Sequence, residues 1–159
     1  MSKKINLLIY ASLILAIAVT LAIIFGFSFK GPEESKEQSD SVVEVVKPII
    51  DPKDQMSEEE ISFVVRKSAH FIEFFALGAE CALLALFISR KITLSGVVCP
   101  ALFCLISANA DEFIQSFTDR GSAVADVLLD FCGALTGIAL GFTLGYAIKF
   151  VKRKIQKSK

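Results

Sequence analysis

Four stretches of this chain are too long and too apolar to be ordinary surface helices. Ile5–Phe29 runs 25 residues without a charge. A second stretch runs from Ser68 to Ser89, a third from Ile92 to Ala110, and a fourth from Ala123 to Ile148. About 20 predominantly apolar residues cross the hydrocarbon core of a bilayer. The expected fold is therefore all-α, a four-helix transmembrane bundle. Lys3 and Lys4 ahead of the first stretch would also suit a signal peptide. Such a peptide has an apolar region of only about 7–15 residues and a small-residue cleavage site. Ile5–Phe29 is longer, and Gly26-Phe-Ser-Phe-Lys30 is a poor site, so the segment is expected to stay as an anchor.

Charge gathers between the apolar stretches. The chain has 17 basic and 17 acidic residues, so its formal net charge is zero, and 53% of it is hydrophobic. That excludes a disordered chain, a disulfide-stapled secreted domain and a basic nucleic-acid binder. Ten basic residues flank one set of span ends: Lys3, Lys4, Arg90, Lys91 and six in the tail from Lys149 to Lys159. The other set holds seven basic residues, together with ten acids between Glu33 and Glu60. The positive-inside rule then places both termini in the cytoplasm. The expected organisation is a first span over 1–29, an acidic external segment over 30–67, a three-helix core over 68–148 and a basic tail over 149–159.

The external segment is polar up to Asp40. It continues as a short amphipathic piece, Ser41–Ile50, ended by Pro48. Ser57 and Glu60 form a capping box, so the second long helix is expected to begin near Glu58. The segment reads as a solvated connector with short helices, or as a lid over a site beneath it. Cys81, Cys99, Cys104 and Cys132 lie within the spans without metal-type spacing and read as packing residues.

Ionisable residues inside spans are costly and are usually functional. Here they gather at one depth. The second helix carries Arg66, Lys67, His70 and Glu73 on one side, with Glu80 deeper. The third ends in Asp111, Glu112 and Gln115, Arg120 lies in the next turn, and the fourth opens with Asp126 and Asp130. At about 1.5 Å of rise per residue, His70, Asp111 and Asp130 fall within about one helical turn of the same depth. Gly133, Gly137, Gly141 and Gly145 repeat every four residues and permit close helix packing. That stripe turns Asp126 and Asp130 into the bundle.

The stretch Arg66–Gly141 resembles the VanZ-like family of bacterial membrane proteins. The matching residues are Arg66-Lys-Ser-Ala-His-Phe-Ile-Glu73 with Leu77-Gly78, then Asp111-Glu112-Phe-Ile-Gln115, then Arg120, then Asp126-Val-Leu-Leu-Asp130 with Gly133 and Gly137. Phe27-Ser28, Ser35 and Ser39 loosely match a serine-rich stretch after the family's first span. Phe74 stands where the family usually has Tyr, Ile114 where many members have His, and Asp119 where Gly is common. The family is named for a protein that raises teicoplanin resistance. The resemblance implies a multi-pass protein of the bacterial plasma membrane with a cell-envelope role, and it supplies no reaction.

Three functions fit these residues. In the first, Arg66, Lys67 and Arg120 take phosphate or carboxylate groups of a lipid-linked or peptidoglycan-type ligand, and the acids and Gln115 take hydroxyl, amine or amide groups. In the second, the chain is an integral-membrane hydrolase or transferase acting on a lipid-linked phosphate. His70, Glu73 and Glu112 are then the catalytic candidates, and a metal, if any, sits among His70, Glu73, Asp111, Asp126 and Asp130. In the third, it is a small oligomeric transporter. The bilayer is a partner in all three, nucleic acid in none. The sequence assigns no cofactor and leaves the oligomeric state open.

Overall fold

The computed structural model describes residues 3–53, 55–89, 91–118 and 123–157, with side chains from Lys4 to Val151. The described chain forms five helices: α1 (Lys3–Ser28), α2 (Pro32–Ile50), α3 (Glu58–Ser89), α4 (Leu94–Ser116) and α5 (Val124–Lys157). Four of them, all but α2, are long and apolar enough to cross a membrane.

The helix ends follow local chemistry. Glu60 Oε2 accepts the Ser57 backbone N–H at 2.9 Å, and the Glu60 N–H donates to Ser57 Oγ at 3.3 Å. The capping box is therefore formed, and α3 starts at Glu58 as expected. Thr93 caps α4 by accepting the Gly96 N–H at 3.0 Å. This places the start of α4 two residues beyond Ile92.

The segment between the first two spans departs from expectation. It is one helix of 19 residues, and Pro48 lies inside it instead of ending it. Pro32 occupies the first turn, where a missing N–H costs nothing, and Glu33 and Glu34 face the helix N-terminal dipole. Pro48 falls in the last turn, so only one interior hydrogen bond is lost before the Asp51 N–H closes the helix on Lys47 O at 2.9 Å. Ser35, Ser39 and Val43 are buried, one side of α2 thus being turned to the protein. The Ser39 hydroxyl bonds back along the helix, to Ser35 O at 2.8 Å. Asp51 opens the turn into α3 and accepts the Met56 N–H at 2.6 Å. The N–H groups of Met56 and Gln55 hold its carboxyl below the usual carboxylate range.

The glycine period of α5 is the seam of the bundle. A Cβ on Gly133 would lie 2.5 Å from Phe71 O, one on Gly141 would lie 2.7 Å from Ala79 O, and one on Gly137 would strike Phe75 O. The approach is mutual, because a Cβ on Gly78 of α3 would strike Ala134 O. Phe74, Leu77, Cys81, Cys104, Ala108 and Ala134 fill the core between α3, α4 and α5, with Ile24 of α1 against them. Cys81 and Cys104 thus pack as apolar residues, whereas Cys99 and Cys132 face outward.

Helix α1 is attached more loosely. Only 6% of its most apolar stretch is buried, against 33–39% for the other three spans. Polar side chains pin it to α3: Thr20 Oγ1 donates to Glu80 Oε1 at 3.1 Å, and Tyr10 Oη donates to Phe87 O at 3.2 Å. At the far end of α3, Lys149 Nζ donates to Leu86 O at 3.1 Å. That satisfies a carbonyl at a helix C-terminus with a positive charge.

Candidate functional site: a buried histidine–carboxylate cluster

The seam decides where the polar residues meet. Gly133 lets the α5 backbone approach Phe71, the residue after His70, and Asp130 lies one turn before Gly133. His70 and Asp130 therefore face each other across the α3–α5 contact. His70 Nδ1 is 3.9 Å from Asp130 Oδ1 and 3.6 Å from Asp111 Oδ2 of α4. Three helices thus bring one donor atom each to a common point, all within 4.8 Å of one another.

The two aspartates are not equivalent. Both are buried, with Asp111 fully enclosed and Asp130 only 1% exposed. Gln115, one turn on in α4, donates Nε2–H to Asp111 Oδ2 at 2.7 Å. Ser28, the last residue of α1, donates its hydroxyl to Asp111 Oδ1. The same hydroxyl lies 2.8 Å from Ile24 O, so one proton serves two acceptors. Thr118 Oγ1 donates to Ser28 O at 3.4 Å and ties the end of α4 to the end of α1. Neither carboxylate oxygen of Asp130 receives a hydrogen bond from any described residue.

The remaining expected residues divide around this cluster. Lys67 Nζ pairs with Asp126 Oδ1 at 2.5 Å and lies over the Phe63 ring, at a partly exposed position. Asp126 is spent on Lys67 and falls outside the cluster. Glu112 is buried, and its Oε2 accepts the Ala123 N–H at 3.1 Å, which anchors the residue just before α5. Arg66 is exposed and Glu73 half-buried. Both line a groove of about 260 Å³ between α2 and α3, together with His70. Ser35, Gln38 and Ser39 of α2 form its other wall, and Phe27, Val42 and Val65 add apolar surface. Arg120 lies outside the described residues.

His70 belongs to both features. Its ring lines the groove, and its Nδ1 faces the buried aspartates. Sequence reasoning missed Ser28 as a site residue, and beyond the alternative of a lid it assigned no α2 residue to the site. The only signal for either was the loose match of Phe27-Ser28, Ser35 and Ser39 to a serine-rich stretch.

No curated protein and no solved structure matches the chain. The family model described as VanZ/LLP1 matches residues 12–145, which takes in α2, α3 and α4 whole, most of α1 and α5, and every described residue of the site. Four apolar helices and this match make the chain a member of the VanZ/LLP1 family of membrane proteins.

Proposed function

We propose that this chain lies in the bacterial plasma membrane with both termini in the cytoplasm, and that its polar end binds a lipid-linked or peptidoglycan-type ligand at the outer face. The observation that carries the reading is the groove between α2 and α3, which leads from exposed Arg66 to half-buried Glu73 and His70. Small-molecule sites combine apolar walls with a few placed polar groups. Phe27, Val42 and Val65 suit an apolar stem, Arg66 suits a phosphate or carboxylate, and Ser35, Gln38 and Ser39 suit hydroxyl or amide groups. The volume accommodates a headgroup, not a whole cell-wall precursor. On the family resemblance, the outcome is altered access of glycopeptides such as teicoplanin to their targets.

One observation favours a second reading, an enzyme acting on a lipid-linked phosphate. His70 stands at the groove with Asp111 and Asp130 behind it, the position of a general base oriented by carboxylates.

Purification in nanodiscs with native lipid extract tests the ligand. Wild-type protein is expected to retain a phosphate-bearing lipid on native mass spectrometry, and the double variant Arg66→Ala, Gln38→Ala to lose it. Equal retention by both removes the groove from the reading. Turnover of that lipid by the wild type alone would select the enzyme. Orientation is checked with an impermeant thiol reagent in a cysteine-free background: Glu37→Cys should label from outside and Gln156→Cys should not. The reverse pattern puts the groove in the cytoplasm.

A further inference from the structure

We propose that His70, Asp111 and Asp130 bind one divalent transition-metal ion, Zn²⁺ or Mn²⁺. This adds a cofactor to the site read above, and it stands or falls without the ligand.

Geometry is the first support. Zinc binds imidazole nitrogen and carboxylate oxygen at about 2.0–2.2 Å, so tetrahedral ligand atoms sit roughly 3.4 Å apart. The observed separations from Nδ1 are 3.6 and 3.9 Å, and all three donor atoms fit within 4.8 Å. The two separations from the imidazole need only a few tenths of an ångström of closure, and the carboxylate pair, within 4.8 Å, closes further to share one ion. Each ligand comes from a different helix, so the seam that packs α3 against α5 also assembles the site.

Asp130 is the second and independent support. A buried carboxylate normally finds hydrogen-bond donors, because losing water without compensation is expensive. Asp130 is 1% exposed, and neither oxygen accepts a hydrogen bond from the described residues. Its oxygen instead points toward His70 and the Asp111 side of the cluster. A cation there compensates both buried carboxylates at once.

The surroundings of Asp111 are the third support. Metal-binding carboxylates are themselves held by hydrogen bonds from a second layer of residues. Ser28 and Gln115 hold Asp111 in this way, one donor on each oxygen. The ligand set is two hard oxygens and one borderline nitrogen, which suits zinc or manganese better than a soft metal. Three protein ligands leave a fourth position for water or for a ligand atom. Of the wider set expected from sequence, Asp126 is paired with Lys67 instead.

The test uses tag-free full-length protein in nanodiscs of pure phosphatidylcholine, stripped with chelator and titrated with Zn²⁺ or Mn²⁺ alone. Wild type should take up one ion per chain. Asp130→Asn should bind at least about tenfold more weakly, and Ser28→Ala, which removes only a supporting bond, about tenfold more weakly. X-ray absorption of the zinc form should show one imidazole nitrogen with oxygen and no sulfur. The chain has a single histidine, so that nitrogen can only be His70. If Asp130→Asn fails to fold, the wild-type spectrum still decides. No saturable uptake by wild type, equal affinity of a folded Asp130→Asn variant, or a sulfur shell pointing to Cys81 and Cys104 would each overturn the proposal. Intact ion binding with no lipid retained would overturn the ligand reading and leave this one standing.

Discussion

Helix α3 takes part in two opposite kinds of packing. Along its middle it meets α5 backbone to backbone, with Gly78, Gly133, Gly137 and Gly141 removing every side chain that would hold the helices apart. Nothing polar is needed there, because each helix satisfies its own backbone. Toward its N-terminus the same helix meets α2, α4 and the start of α5 through serine, glutamine, histidine and aspartate. The first region is apolar and closely fitted. The second carries a buried carboxylate to which no described residue donates a hydrogen bond. In lipid the hydrophobic effect does not drive helices together, so dispersion across a close seam supplies much of the association. The comparison teaches that the tight region maintains the polar one. Asp130 stays where it is costly because Gly133, one turn away, fixes α5 against α3.

The largest expected effect comes from breaking the seam. In Gly137→Leu the new side chain starts where its first carbon already strikes Phe75 O, which is backbone and cannot rotate away. The helices must separate, at a cost of about 3 kcal/mol or more. Leu140 lies on the same helix but is exposed, so Leu140→Phe should stay within about 0.5 kcal/mol of wild type. Chemical unfolding in mild detergent measures both. Equal midpoints would mean that the seam does not hold the bundle.

The next effect sharpens the contrast inside the polar region, and it has two signs. Asp111 accepts hydrogen bonds on both oxygens. Asp111→Asn sets an amide N–H against a donor and should destabilise the metal-free protein by about 1–3 kcal/mol. Asp130 accepts none from the described residues, so Asp130→Asn removes a costly buried carboxylate without removing a described bond, and should stabilise the metal-free protein by about 1 kcal/mol. The proposed envelope function should be lost in both. If the two variants shift the unfolding midpoint in the same direction, the two aspartates do not differ as their partners indicate.

Much of this architecture is legible along the chain. The four-residue glycine period specifies a close contact by itself, and Ser57 with Glu60 specifies where α3 begins. Helical periodicity also puts His70, Asp111 and Asp130 at one depth, since rise per residue is nearly constant. Periodicity assigns a residue to a face but does not choose its partner. Lys67–Asp126, Gln115–Asp111 and Glu112 with the Ala123 N–H are distinct pairings that a pooled count of charges cannot separate. Ser28 is less legible still. A single serine at the end of an apolar helix carries no local signal, and its role comes from a contact with Asp111, 83 residues away. The α2 wall is hidden for a different reason. Pro48 marks a helix end only to within a turn, and here the helix survives it to Ile50.

The smallest effect is expected at the tip of the polar region, where α2 turns into α3. Seam glycines are remote from this turn, and its order rests on local bonds such as the one from the Met56 N–H to Asp51. Those N–H groups hold the Asp51 carboxyl below its ordinary value of 3.8, so the folded state favours the ionised form. The stabilisation is then fully present above the unfolded-state value and fades as pH falls through the lower, folded-state one. Asp51→Asn keeps an acceptor but removes the charge, and charge-assisted bonds are roughly twice as strong as neutral ones. At neutral pH the variant should show a modest loss of hydrogen-exchange protection at the Met56 amide, with the seam amides unchanged. As pH falls through the lowered, folded-state value, where wild-type Asp51 also becomes neutral, the two proteins should converge. A difference that persists in acid would assign the effect to shape, not charge. A loss of protection spreading to Gly133 or Gly137 would mean that the two regions of α3 unfold as one unit.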